Sequence, residues 1–131
     1  MFGKHKKSDT FDVWLGGILK NFDLDAKAFN FNIYENKKDF SVEFVATSSF
    51  DPDDEDWACD EIYASRNDNN EFYFDASDWE SAEEKVQELI TEYLKNGEYS
   101  HKLKSVQAVA CGFVDGDLTI LFPVLGFGKN L

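Results

Sequence analysis

Residues 29–47 read FNFNIYENKKDFSVEFVAT, and this stretch predicts the centre of the fold. Apolar residues occupy every second position from Phe29 to Ile33 and again from Phe40 to Ala46. An alternation of period two is typical of β-strands that bury one face. Because a short polar segment joins the two runs, we expect a β-hairpin.

A helix is expected before this hairpin. Thr10 can cap its start, and the apolar residues that follow recur at the i, i+3, i+4, i+7 spacing of one helix face. They are Phe11, Trp14, Leu15, Ile18, Leu19 and Phe22. The preceding residues, 1–9, have no such pattern and are predicted to be a flexible basic arm. The domain is therefore expected to span residues 10–131.

After the hairpin, the chain is expected to return to extended structure twice. Residues 58–64 predict one short strand and residues 71–75 predict another, separated by a turn cluster at 66–70. The segment between the hairpin and the first of these strands contains Pro52, which cannot donate a ladder hydrogen bond. That segment is therefore predicted to be a loop.

A second helix is predicted to begin at the segment Ser77-Asp78-Trp79-Glu80, which has the pattern of a capping box. In that motif the Ser77 hydroxyl accepts from the amide of Glu80. The apolar face of the helix comprises Trp79, Ala82, Val86, Leu89, Ile90, Tyr93 and Leu94, and Asn96-Gly97 ends it. We expect Trp79 to be buried and to anchor this helix.

The last predicted element is a hairpin centred on Asp115-Gly116. This dipeptide favours a two-residue type I′ turn, and apolar runs at 106–114 and 117–124 flank it. Because both runs are apolar at nearly every position, we expect their strands to be covered on two faces and to lie at the centre of the sheet.

These elements predict one α+β domain. Its mixed, mainly antiparallel sheet has about six strands packed with two helices. There is no run of eighteen apolar residues and no secretory signal, so we expect a cytoplasmic protein without a membrane span. Cys59 and Cys111 are expected to be buried and reduced, and a disulfide between them is the alternative.

The charge of the chain is concentrated in one third of its length. Residues 51–92 contain sixteen acidic and two basic residues, a net charge of −14, whereas the rest has ten acidic and eleven basic residues, a net charge of +1. The densest part is residues 50–61, FDPDDEDWACDE, in which seven of twelve residues are acidic. Such a run is kept in a solvated loop or faces a cationic partner.

The acidic run does not carry the pattern of a calcium site. An EF-hand loop that began at Asp51 would need Gly at its sixth position and Glu at its twelfth, where this chain has Asp56 and Ile62. The cysteines and histidines also lack the spacing of a zinc site. We therefore expect no metal and no cofactor.

Catalysis is not indicated either. Asp60 and Glu61, which lie beside aromatic residues, are the only acids whose environment suggests a raised pKa, and a solvated strand face is the simpler interpretation. Serine or cysteine catalysis needs a base, and the only histidines are His5 in the arm and His101 in a connector. We therefore expect a protein that is not an enzyme.

A binding surface is the favoured interpretation. A pI of about 4.4 disfavours direct contact with nucleic acid, but an acidic face with embedded aromatic residues can occupy the cationic groove of a nuclease. Tyr73 and Trp79 are further candidate aromatic anchors. The predicted partner-binding residues are Asp53, Asp54, Glu55, Asp56, Trp57, Asp60, Glu61 and Tyr63. The alternative is that the tryptophans belong to the core and the acids only increase solubility.

Two segments resemble a known class of proteins. Residues 56–61 (DWACDE), after an acidic loop, and residues 112–117 (GFVDGD) are similar to segments of immunity proteins from bacterial polymorphic-toxin and contact-dependent growth inhibition systems. The resemblance implies a cytoplasmic antitoxin that binds one cognate toxin domain, often a nuclease, and covers its active site. The alternatives are an acidic adaptor or structural protein without a toxin partner, and a small hydrolase that uses the Asp60 and Glu61 region.

Overall fold

The computed structural model describes residues 10–123. In chain order the elements are α1 (Phe11–Asn21), β1 (Ala28–Glu35), β2 (Phe40–Thr47), a 3-10 helix (Glu55–Cys59), β3 (Glu61–Ala64), a second 3-10 helix (Ser65–Asp68), β4 (Phe72–Phe74), α2 (Trp79–Asn96), α3 (Ser100–Leu103), β5 (Ala108–Phe113) and β6 (Thr119–Phe122). The predicted α+β class is confirmed. The predicted arm (1–9) and residues 124–131 lie outside the described part.

One six-stranded sheet organises the molecule, with the order β3-β2-β1-β5-β6 and with β4 also paired to β2. The predicted hairpin is confirmed as the antiparallel pair β1 and β2, in which Phe31 lies opposite Phe44. On its other side β1 pairs in parallel with β5, where Phe31 lies opposite Cys111. The prediction that the last hairpin supplies central strands is right for β5, which is internal, and wrong for β6, which is an edge strand.

The main core lies between one face of the sheet and the helices α1 and α2. Phe29, Phe31 and Ile33 point to this face, and the rings of Phe29 and Phe44 are 4.8 Å apart. Each fully buried side chain of this size stabilises the fold by roughly 1.5–3 kcal/mol. The intervening residues of β1 point to the opposite face, since side chains alternate along a strand.

The first helix follows its sequence pattern. The Thr10 hydroxyl accepts from the amide of Val13 at 3.1 Å, and the predicted apolar face from Phe11 to Leu19 is buried. At the other end, the Lys102 Nζ donates to the carbonyl of Leu19 at 2.8 Å. A cation at this end is favourable because the last carbonyls of a helix have no intrahelical partner.

The second helix begins with a different cap from the predicted one. Asp78 is the N-cap, and its carboxylate accepts from the amide of Ser81 at 2.8 Å, whereas the Ser77 hydroxyl donates to the Ser81 hydroxyl. The predicted capping box of Ser77 and Glu80 is therefore wrong, because the N-cap is Asp78, one residue after Ser77. Neither α2, the longest helix, nor any other helix within residues 10–123 is long and apolar enough to cross a membrane.

Asp78→Ala should therefore lower the melting temperature by about 2–6 °C, and Ser77→Ala should lower it less. Hydrogen bonds from Ser81 hold the pKa of the Asp78 carboxyl below its ordinary value of 3.8. A depressed pKa stabilises the fold above the ordinary value, and this contribution is lost as the pH falls through the folded-state pKa. Thermal melts of both variants at pH 7 and pH 3 test this. Equal losses for the two variants at pH 7 would contradict the assignment.

The turn of the last hairpin also differs from the predicted one. The amide of Gly116 donates to the carbonyl of Phe113 at 2.9 Å, so Val114 and Asp115 are the central residues. The connection spans five residues, not a two-residue type I′ turn at Asp115-Gly116. A Cβ at position 112 would collide with the backbone carbonyl of Asp117, which explains the glycine there. The returning loop therefore packs directly onto β5.

Candidate functional site, an acidic binding surface

The predicted acidic loop is exposed, and its carboxylates shape it. The Asp51 carboxylate accepts from the amide of Asp53 at 2.9 Å, and the Asp54 carboxylate accepts from the amide of Asp56 at 3.0 Å. All five acids of the loop 51–56 are exposed. Asp51 and Asp54 thus fold the loop, and all five carboxylates remain open to solvent.

Trp57 is buried, which corrects its assignment as a partner-binding anchor. Only 4% of its surface is exposed, and it clusters with Ala28, Ala108 and Ala110 on the sheet face turned away from α1 and α2. The ring of Phe50 lies 5.2 Å away. The small side chains of β1 and β5 leave space that the indole fills, so Trp57 fastens the acidic loop to the sheet.

The remaining predicted residues divide into two groups. Asp60 and Glu61 are exposed, and the Asp60 carboxylate accepts from the Ser49 hydroxyl at 2.6 Å. Tyr63 is half-buried, with its ring 6.0 Å from that of Phe22, and therefore belongs mainly to the core. Tyr73 is half-buried as well, and its hydroxyl donates to Glu71 at 3.1 Å. Of these four residues, the carboxylates of Asp60 and Glu61 rather than the rings of Tyr63 and Tyr73 are available to a partner.

Trp79, predicted to be buried but also a candidate aromatic anchor for a partner, is exposed. Its side chain is 55% exposed at the start of α2, and its ring lies 6.4 Å from that of Phe113 at an angle of 78°. Trp79 and Phe113 line a surface groove of about 490 Å³. The other lining residues are Glu35, Glu83, Asp115, Gly116, Asp117 and Thr119. None of these described residues is basic.

The acidic loop and this groove are neighbours. The Glu55 carboxylate accepts from the amide of Leu118 at 3.3 Å, directly after the groove residue Asp117. Leu118 also packs beside Trp57. We call the loop 51–56 together with the groove the acidic surface. The groove has four carboxylates beside the exposed indole, three of them from outside the acidic third of the sequence. The loop has five more, and the Glu55 contact with Leu118 links it to the groove.

The second face of the sheet contains a buried polar cluster that sequence reasoning missed. Asn30, Asn32, Tyr34 and Glu43 form it. The Glu43 carboxylate is 3% exposed and accepts from the Asn32 amide group at 3.0 Å and from the Tyr34 hydroxyl at 2.7 Å. Asn30 donates to Asn32, and its own Oδ1 has no partner among the described residues. The only sequence signal for this cluster was the alternation of polar and apolar residues in β1 and β2.

This cluster is closed on one side by Arg66. Its guanidinium lies 4.3 Å from the centre of the Tyr34 ring, and its Nε pairs with Glu71 at 3.2 Å. Burial, and next the hydrogen bond to Glu43, raise the pKa of Tyr34. A neutral Tyr34 hydroxyl therefore remains the donor to Glu43 over the ordinary pH range. This arrangement links β1, β2 and the segment that carries Arg66 and Glu71.

Glu61 of the predicted site has a carboxyl group whose pKa lies above its ordinary value. Desolvation raises the pKa of Glu61, and the charge of Glu43 adds to the effect. A raised carboxyl pKa favours the folded state below the ordinary value of 4.5, and that advantage is lost as the pH rises through the folded-state pKa. At neutral pH the ionised Glu61 is therefore mildly unfavourable to folding.

Glu61→Gln should raise the melting temperature at pH 7 by a few degrees at most, since the side chain is exposed to screening solvent. The difference from the unaltered protein should shrink below pH 4.5. Thermal melts between pH 4 and pH 8 measure this, with Asp60→Asn as the neighbouring control. A stabilisation that stays the same at pH 4 would rule out ionisation as its cause.

Metal binding is not indicated in the part of the chain that the structure describes. Within residues 10–123, no group of three or more His, Cys, Asp or Glu side chains is placed to hold a metal ion. Cys59 and Cys111 are both free. Cys111 is buried as predicted, and burial raises the pKa of its thiol to about 12. Cys59 is exposed, which corrects the expectation that both are buried.

Comparison with known proteins supplies no relative. No protein-family model, no curated protein and no solved structure matches this chain. The conclusions about function therefore depend on the acidic surface itself.

Proposed function

We propose that this protein is a non-catalytic binding protein of the immunity type. It acts in the cytoplasm, docks onto a cationic toxin domain, most simply a nuclease, and covers that domain's active site. The observation that carries the proposal is the acidic surface, where the exposed Trp79 lies in a groove with four carboxylates and a loop with five more contacts Leu118, next to the groove residue Asp117.

The charge of the acidic surface and its exposed indole both support this proposal. Nuclease active sites attract phosphate with Lys and Arg, so an acidic surface complements them and accelerates encounter. Charge alone does not hold two proteins together, because exposed ion pairs contribute little. An aromatic side chain surrounded by polar groups is the usual centre of binding energy. Trp79 supplies such a centre, and the acids around it become strong hydrogen-bond acceptors once water is excluded.

The proposal can be tested with the carboxy-terminal domain encoded by the adjacent gene, since immunity genes lie beside their toxin genes. A first variant carries Asp53→Asn, Asp54→Asn, Glu55→Gln and Asp56→Asn. We expect it to melt at an equal or higher temperature, because self-repulsion within the loop is removed. We also expect it to lose protection of growing cells. The association rate of the unaltered protein should fall by roughly tenfold or more from low to high salt.

A matched control removes four charges elsewhere. The control variant carries Asp12→Asn, Asp23→Asn, Asp25→Asn and Glu98→Gln. All four residues are exposed, and none lines the groove. The control should still protect cells. Equal protection by both variants, together with a salt-independent association rate, would mean that the acidic surface only increases solubility. Binding to the adjacent domain without any toxicity of that domain would instead favour the adaptor function.

A further inference from the structure

We infer that the groove at Trp79 is a pocket for one arginine side chain of the partner protein. The inference rests on the proposed function and specifies the chemistry of the contact. Trp79 is 55% exposed, and Val114, which lies between two lining residues, is 52% exposed. Large apolar residues that remain exposed in a groove or next in sequence to its lining mark an interaction site more often than a plain surface does.

The lining of the groove selects a cation. Glu83 lies one helical turn after Trp79, on the same side of α2. Asp115 and Asp117 come from the loop between β5 and β6, and Glu35 ends β1. Carboxylates thus reach the groove from three separate elements. Since all the charged residues in its lining are acidic, a buried apolar or anionic group would leave carboxylates desolvated without a partner.

The dipole of α2 opposes the binding of a cation in the groove. Trp79 is the first residue of α2, and the positive end of a helix dipole, equivalent to roughly half a charge, disfavours a cation there. Asp78 already accepts from the amide of Ser81, and so offsets part of that charge. The negative charge of the four groove carboxylates exceeds the partial positive charge that remains at the start of α2.

Arginine fits this groove better than lysine. A guanidinium is planar, so it can stack on the exposed indole while its edges donate to two carboxylates at once. An ammonium group is a compact, strongly hydrated charge that cannot make both contacts in this way. The volume of about 490 Å³ is ample for one such side chain. The acidic loop next to the groove then faces the surrounding basic surface of the partner.

The test uses N-acetyl-arginine amide as the probe and NMR of the indole N–H signals as the readout. The protein has three tryptophans, and Trp14 and Trp57 are buried, so the third signal reports the groove. We expect a saturable shift of the Trp79 signal, with a dissociation constant in the millimolar range for so small a ligand. N-acetyl-citrulline amide, which has the same shape without the charge, should shift it at least tenfold less.

A variant with Glu83→Gln, Asp115→Asn and Asp117→Asn should bind the arginine probe at least tenfold more weakly, whereas the control variant that lacks four distant charges should bind normally. Equal shifts of the Trp79 signal with arginine and citrulline, or no shift of that signal with arginine, would overturn the inference. So would a dimer of the unaltered protein that Trp79→Ala converts to a monomer, because a second copy would then occupy the groove. If the arginine probe fails while the toxin domain still binds, only this inference is lost and the proposed function stands.

Discussion

Trp57→Ala should lower the free energy of unfolding by about 3–5 kcal/mol, the range typical for removal of a buried tryptophan. The indole fills the space above the alanines of β1 and β5 and has the Phe50 ring as its neighbour. Without it, the acidic loop loses its attachment to the sheet. Urea unfolding measures the change, and a midpoint that falls with little change in slope would show that stability itself has changed.

Trp79→Ala is the matched control, because it removes the same side chain from an exposed position. The expected loss is below about 1 kcal/mol, since the residue is more than half exposed and its edge contact with Phe113 is modest in strength. The effect on binding to the partner protein should have the opposite order: the Trp79→Ala variant should fold but bind weakly. Comparable destabilisation by the two substitutions would contradict the positions assigned to both rings.

Glu43→Ala should also be strongly destabilising, by about 2–4 kcal/mol. The substitution leaves the Asn32 amide group and the Tyr34 hydroxyl buried or half-buried without their common acceptor. Relief of the repulsion between Glu43 and Glu61 acts in the other direction, but Glu61 is exposed and that gain is small. Urea unfolding at pH 7 measures the net change.

Glu43→Gln separates the acceptor from the charge. A glutamine keeps one acceptor oxygen at this position, so it should lose clearly less stability than the alanine variant. If alanine and glutamine are equally tolerated, the buried polar cluster contributes little and the second face of the sheet is held by other contacts.

The local elements could be predicted from the sequence because their signals are local. Alternation between residues 29 and 47 identified β1 and β2, and helical spacing identified α1 and α2. The parallel pairing of β1 with β5 could not be predicted in this way. This pairing places Phe31 opposite Cys111, which lies eighty residues later in the chain, and no local pattern in either strand indicates its partner. The cap of α2 was missed by one residue because Ser77 and Asp78 both suit that position.

The burial of Trp57 and Trp79 was predicted wrongly, although Trp79 was also a candidate anchor for a partner, because burial depends on neighbours that are distant in the sequence. Trp79 continues the apolar stripe of α2, but in the first turn of the helix it remains 55% exposed beside Phe113. Trp57 stands among acids, which indicated an exposed loop, yet Ala108 and Ala110 lie beneath it. The groove combines Glu35 with residues of α2 and of the last hairpin, and only the folded chain brings them together.

The most direct test of the acidic surface is amide hydrogen exchange of this protein, free and bound to the domain encoded by the adjacent gene. Binding at the acidic surface predicts slower exchange at residues 51–56, in the first turn of α2 and at residues 113–118. The exposed segment 23–25, which lies outside the acidic surface, should exchange as in the free protein. Slowing confined to α1 and residues 22–26, with the loop and the groove unchanged, would contradict the account.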